Sequence, residues 1–186
     1  MTSGNEITNY RDLKLNALPD GQIRTILTEG ETLLERIASP IEMIDSEMLQ
    51  AIADLGETLR NFRERSGFGR AIAAPQIGFG RRLIVMNLGN GVIPLLNPII
   101  TWRSPETQRV LDDCLSVPDK LVWVERALSI DFSFQNLELE KVQWKGLPPD
   151  LSELLQHETD HLDGILMTLR TKEPPLPPNA RNQNIS

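Results

Sequence analysis

The sequence predicts an α+β fold in which antiparallel sheets pack around a central helix that carries His157-Glu158-Thr159-Asp160-His161. Three observations lead there. Apolar residues recur at steps of three and four after Asp45, the period of a helix with one buried face. Leu128, Ile130, Phe132 and Phe134 alternate with polar residues, the period of a half-buried strand. A second helical segment opens at Pro148-Pro149-Asp150, ends at Gly164, and holds both histidines of the chain.

In chain order, residues 1–20 are mixed and polar and read as a flexible lead-in. Leu33, Leu34 and Ile37 form a short apolar turn that Pro40 stops. The clearest helix follows, capped by Asp45 or Ser46, with Met48, Ile52, Leu55, Leu59 and Phe62 inward and Gly67 as its stop. Leu83 to Met86 is a short apolar run of the kind found in buried strands. Ile93 to Ile100 is a further strand, and Pro94 and Pro98 predict that it lies at an edge or a bend. Asn136 turns the chain out of the strand ending at Gln135, and Leu137 to Trp144 forms the next. In the second helix Asp150 is the expected cap, and Leu151, Leu154, Leu155 and Leu162 supply the apolar face. Ile165 to Leu169 is expected to return as a strand, and residues 171–186, rich in proline, form an extended or disordered tail after a single domain at 21–170.

Composition narrows the classes. A chain of 186 residues, 40% hydrophobic and 24% charged, suits one ordinary globular domain. A net charge of −7 argues against a nucleic-acid partner, because phosphate contacts need clustered lysine and arginine. The longest apolar stretch, Val92 to Ile100, is broken by two prolines and too short to span a bilayer, so no membrane partner is expected. Met1 to Lys14 lacks the apolar core of a signal peptide, and one cysteine allows no intrachain disulfide. The expected compartment is the cytoplasm.

The chemistry concentrates in a few residues. His157 and His161 lie four apart, so on a helix both imidazoles reach the same point in space. Chance places two histidines at that spacing in roughly one per cent of arrangements, and Glu158 beside the first completes a ligand-plus-base pattern. Two unrelated surface histidines are the bland alternative. A catalytic metal needs a third protein ligand and an open position, and Cys114, the only thiol, is the natural candidate. Standing alone, a cysteine is more often a small buried hydrophobe.

The stretches Gly69-Arg70-Ala71-Ile72-Ala73-Ala74-Pro75-Gln76, Cys114-Leu115-Ser116 and Gln156-His157-Glu158-Thr159-Asp160-His161, in that order, resemble the three motifs of peptide deformylases. The resemblance runs from about Ile23 to Leu169. It implies that Cys114, His157 and His161 hold one divalent metal with a water in the fourth position. Fe2+ is then expected in the cell, with Zn2+ or Ni2+ also suited to the donors. It implies Glu158 as general base, and Gln76 with the backbone N–H of Leu115 as oxyanion donors. The bland readings are that Gln76 pairs with backbone and that Leu115 is core. Arg126 would support the cysteine loop with Asp112 as its partner.

Some positions depart from the family pattern. Ala71 and Asp113 stand where the family has glycine, Asp112 stands for a glutamate, and Leu121 for a substrate-contacting arginine. The substrate-binding positions are Gly69, Arg70, Ala71, Glu153 and Leu154. Charged residues at Arg70, Asp150 and Glu153 either pair across the methionine pocket or face water at a wider mouth. The implied substrate is an N-formyl-methionyl peptide. The alternatives are an amidase for another formylated or acylated small molecule and a non-catalytic metal-binding homologue. A tail this rich in proline is not expected to form a helix that docks on the ribosome.

Overall fold

The computed structural model describes residues 18–89 and 91–182. The expected lead-in lies outside the described residues up to position 17, as do the last four residues of the tail. Helix α1 spans Ser46–Ser66. Asp45, not Ser46, is its cap, with a carboxylate oxygen accepting from the Met48 N–H at 2.8 Å, and Gly67 ends it at φ 76°. Strands β1 (Ala71–Ala73), β2 (Leu83–Met86) and β3 (Ile93–Arg103) follow, then the hairpin β4 (Thr107–Cys114) and β5 (Val117–Ala127). Strands β6 (Ile130–Gln135) and β7 (Lys141–Trp144) precede helix α2 (Pro149–Leu162). A five-stranded antiparallel sheet has the order β1-β2-β3-β6-β7, and β4-β5 forms a separate two-stranded sheet.

The period of two explains where α2 sits. Ala71, Ala73, Ile84 and Met86 point to one face of the large sheet, where they cluster with Phe132, Phe134, Trp144 and the α2 leucines 151, 154, 155 and 162. Ile72, Leu83 and Val85 point to the other face and meet Met48, Ile52, Leu55 and Leu59 of α1. Strand β2 is buried on both faces, which is why its sequence is an unbroken apolar run. A third cluster, with Leu34, Cys114, Val122, Val124, Leu166 and Met167, lies under the hairpin.

Several sequence expectations need correction. Strand β3 is central rather than an edge, and its two prolines are accommodated in different ways. Pro94 lies beyond the reach of β6, whose pairing begins at Leu96. Pro98 falls in a register shift between Leu96 and Ile99, beside Asn97 at φ 48°. Asp150 does not cap α2. Pro149 takes the first helical position, where a missing N–H costs nothing, so the helix starts one residue earlier with Pro148 at the cap. The strand expected at 137–144 begins only at Lys141, because the Asn136 side chain accepts from the N–H groups of Glu138 and Glu140 and holds 136–140 as a turn. Ile165 to Leu169 is not a strand. The Asp160 carbonyl accepts the Ile165 N–H at 2.8 Å, and Met167–Leu169 closes as a 3-10 turn over buried Leu166 and Met167. Among the described residues, no helix is long and apolar enough to cross a membrane.

Candidate metal centre

The first two turns of α2 are bolted to the end of β5. Gln156 accepts from the Ala127 N–H and donates to the Ala127 carbonyl, both at 3.0 Å, while the Ser152 hydroxyl donates to the same carbonyl at 2.8 Å. The first residue of the motif is therefore an anchor. With the helix so fixed, His157 and His161 face inward, with ring centroids 4.9 Å apart. Cys114 ends β4, and a two-residue turn at Leu115 and Ser116 brings the chain back at Val117. The turn delivers its sulfur to the histidines, at 3.2 Å from Nε2 of His161. Sγ of Cys114 and one ring nitrogen of each histidine lie within 4.8 Å of one another, and all three residues are buried.

This donor set fits a divalent metal. Nδ1 of His157 is engaged by Asp112 Oδ1 at 2.9 Å, which leaves Nε2 free to ligate, the usual arrangement for a metal-bound imidazole. Soft thiolate with imidazole suits zinc, iron or nickel far better than magnesium or calcium. Two further atoms are buried without a hydrogen-bond partner here, Oε2 of Glu158 and Nδ1 of His161. An unpartnered carboxylate oxygen, on a buried residue that lines the same cavity as His157, is what a site needs if that group is to handle a proton.

The surrounding charges are tuned by burial and by neighbours. Burial pushes the Glu158 carboxyl up to about 7, well above a surface glutamate. Burial alone would lift Asp112 too, but His157 and Arg126 outweigh it and hold the carboxyl below the usual range. Burial works against a charged His157, yet Asp112 and then Cys114 raise it well above an ordinary histidine. His161 is lowered, by burial first and by His157 second. Arg126 joins the two units that carry the ligands. It donates to Asp112 on β4 at 2.9 Å and to Asp160 on α2, and Arg170 also donates to Asp160.

Gln76 sits in a 3-10 turn directly after β1. Its Oε1 accepts the Ala73 N–H at 2.8 Å, which turns Nε2 toward the Ser116 hydroxyl at 3.1 Å and the Cys114 sulfur at 3.8 Å. Leu115, Leu154, His157 and Glu158 line a cavity of about 370 Å³ together with Gly69, Arg70, Ala71 and Glu153. In the lining of this cavity Arg70 pairs with Glu153 and donates to the Asp150 carbonyl at 3.1 Å. The Asp150 side chain is exposed and is no part of the wall. Sequence reasoning missed the Asp112–His157 contact, buried Ser116 and the role of Asp160. A metal-ligating histidine needs a partner for its second nitrogen, a carboxylate, carbonyl or water, and that rule is the signal that Asp112 answers.

Residues 23–175 match the family model described as polypeptide deformylase. The peptide deformylase of Thermotoga neapolitana is 34% identical over 145 residues, spanning 77% of this chain and 84% of the relative. That of Fusobacterium nucleatum is 40% identical over 140 residues, 74% of this chain and 77% of the relative. The crystal structure of the Thermotoga maritima peptide deformylase superposes with a TM-score of 0.74 at 32% identity, covering 82% of this chain and 99% of the other. A Synechococcus elongatus peptide deformylase in complex with actinonin gives 0.69 at 29% identity, covering 80% and 78%. With its thiol and two imidazoles gathered at one point and a family match over most of its length, the chain belongs to the polypeptide deformylase family.

Proposed function

We propose that this protein is a metal-dependent deformylase that removes the formyl group from N-formyl-methionyl peptides, a step of N-terminal methionine processing in protein biosynthesis. The observation that carries this reading is the convergence of Cys114, His157 and His161 beside a buried, unpartnered Glu158 oxygen. Cys114, His157 and His161 would hold the ion, Fe2+ in the cell, with Zn2+ or Ni2+ as substitutes the same donors accept. When bound, it supplies Lewis acidity that brings the pKa of water toward neutrality and polarises a carbonyl oxygen.

The chain's own groups carry the rest. Glu158 takes a proton from the attacking water. The water oxygen adds to the formyl carbon, and charge develops on the formyl oxygen. The Gln76 amide and the Leu115 N–H donate to that oxygen. Glu158 then delivers its proton to the amine nitrogen, the C–N bond breaks, and formate and a free amino terminus leave. Asp112 keeps the His157 ring oriented, and Ser116 with Ala73 keeps the Gln76 amide aimed. Gly69, Arg70, Ala71, Glu153 and Leu154 receive the first side chain of the substrate. At Gly69 the backbone has φ 117°, open to glycine and strained for other residues.

The C-terminal segment is engaged with β5, which supports the reading that it makes no ribosome contact. The cytoplasm is the compartment we assign. The test is formate release from formyl-Met-Ala-Ser by anaerobically prepared, iron-loaded protein. Cys114→Ser, His157→Ala and His161→Ala are each expected to lose both metal and turnover. Stoichiometric metal retained by all three variants would overturn the ligand set.

A further inference from the structure

Residues 174–178 read Pro-Pro-Leu-Pro-Pro, so Leu176 carries the only backbone N–H in the segment. That one donor is used. The Leu176 N–H donates to the Leu121 carbonyl at 2.7 Å, and the Leu121 N–H donates to the Leu176 carbonyl at 2.8 Å. The two residues form an antiparallel bridge on the edge of β5 that faces away from β4. Beyond it, Pro178–Asn182 turns as a 3-10 segment, with Ala180 buried. Proline on both sides holds the strand extended before it docks, so little freedom is lost in seating it.

The position of this strap matters because of the space beneath it. A cavity of about 440 Å³ lies between Phe62, Phe68, Asp113, Cys114, Leu121 and Pro178. It shares Phe68 and Asp113 with the cavity that holds Glu158 and Leu154. The second space is therefore bordered by Cys114 on one side and by Leu121 and Pro178 of the strapped edge on the other. A substrate with its formyl group at Cys114 and Glu158, and its first side chain toward Leu154, would meet this second space with its remaining residues. The exposed backbone of a strand edge is what an extended peptide pairs with, and at Leu121 that edge is already taken.

We propose that residues 174–180 tune the enzyme to substrate length: the shortest formylated substrates reach the site without touching the strap, and longer peptides must displace the Leu176 rung. The proposal rests on the deformylase reading of the site and adds to it a limit on substrate size.

The experiment compares the full chain with a chain ending at Glu173 and with full-length Leu176→Pro, which removes the single donor. Each is loaded with iron and given formyl-Met amide, formyl-Met-Ala-Ser and a five-residue formyl peptide. The full chain is expected to lose about tenfold or more in kcat/KM between the shortest and longest substrates. Both variants are expected to recover that loss and to match the full chain on formyl-Met amide. Equal rates on all lengths by the full chain, or an equal drop on all lengths in both variants, would overturn the proposal. If no form releases formate, the deformylase reading fails. Binding of a fluorescent, unformylated pentapeptide then decides the strap alone: tighter binding by the variants upholds it, and equal binding sinks it.

Discussion

At the scale of single residues, Glu158 and the Arg70–Glu153 pair make the sharpest predictions. Glu158 is a base rather than a ligand in this reading, so Glu158→Gln should retain stoichiometric metal while formate release falls by about two to four orders of magnitude. Metal content measured beside single-turnover rates checks both halves, and wild-type turnover in the loaded variant would exclude the mechanism. The polar pair bears on specificity. Full burial of a thioether side chain contributes about 1.5–3 kcal/mol, but only against apolar walls. Arg70 and Glu153 remain partly hydrated, with side chains 40% and 24% exposed. Preference for methionine over a polar first residue should therefore be about tenfold or less, about 1.4 kcal/mol. Arg70→Ile with Glu153→Ile should raise kcat/KM for formyl-methionyl peptide and widen that preference, and a several-hundredfold preference in the unmodified enzyme would refute the argument. The ligand residues were legible in the sequence because their identity is their chemistry. Asp112 as the partner of His157 was not, since Asp112 and Asp113 adjoin and only the strand's alternation decides which one faces the histidine.

At the scale of elements, the sequence disclosed those with a clean period or an unbroken apolar run and concealed the hairpin, whose strands bury charged residues. Helix α1 and strands β2 and β6 were readable for that reason. The β4-β5 hairpin was largely hidden, because Asp112 and Arg126 are buried as a pair and interrupt the alternation that marks a strand. The same mixture makes the hairpin the element that delivers Cys114. Helix α2 is held at its far end by Gly164, at φ 72°, where an added Cβ would stand 2.6 Å from the Glu35 carbonyl oxygen. Gly164→Ala is therefore expected to lower stability by about 1 kcal/mol or more. A urea midpoint that falls with an unchanged slope would register this, and an unaltered midpoint would mean that the Glu35 segment yields at no cost.

At the scale of the whole molecule, the large sheet with its two flanking helices forms one packed body, while the hairpin contributes Cys114 from a separate sheet. Removal of metal by a chelator should leave far-UV circular dichroism nearly unchanged, because the apolar clusters on both faces of the large sheet do not need the ion. Thermal stability should fall, by about 2.7 kcal/mol if free metal had stood at a hundred times its dissociation constant. A melting temperature indifferent to chelation would argue against a bound ion. The placement of Cys114 and His161 also has a meaning in polymer terms. They lie 47 residues apart along the chain and touch in the folded state, so an ion bound to both ties a loop as a covalent cross-link would. A disulfide closing a loop of that size would remove about 4 kcal/mol of chain entropy from the unfolded ensemble. A catalytic ion with such a secondary effect should slow hydrogen exchange most in β4 and β5, the segment that it fastens to the rest.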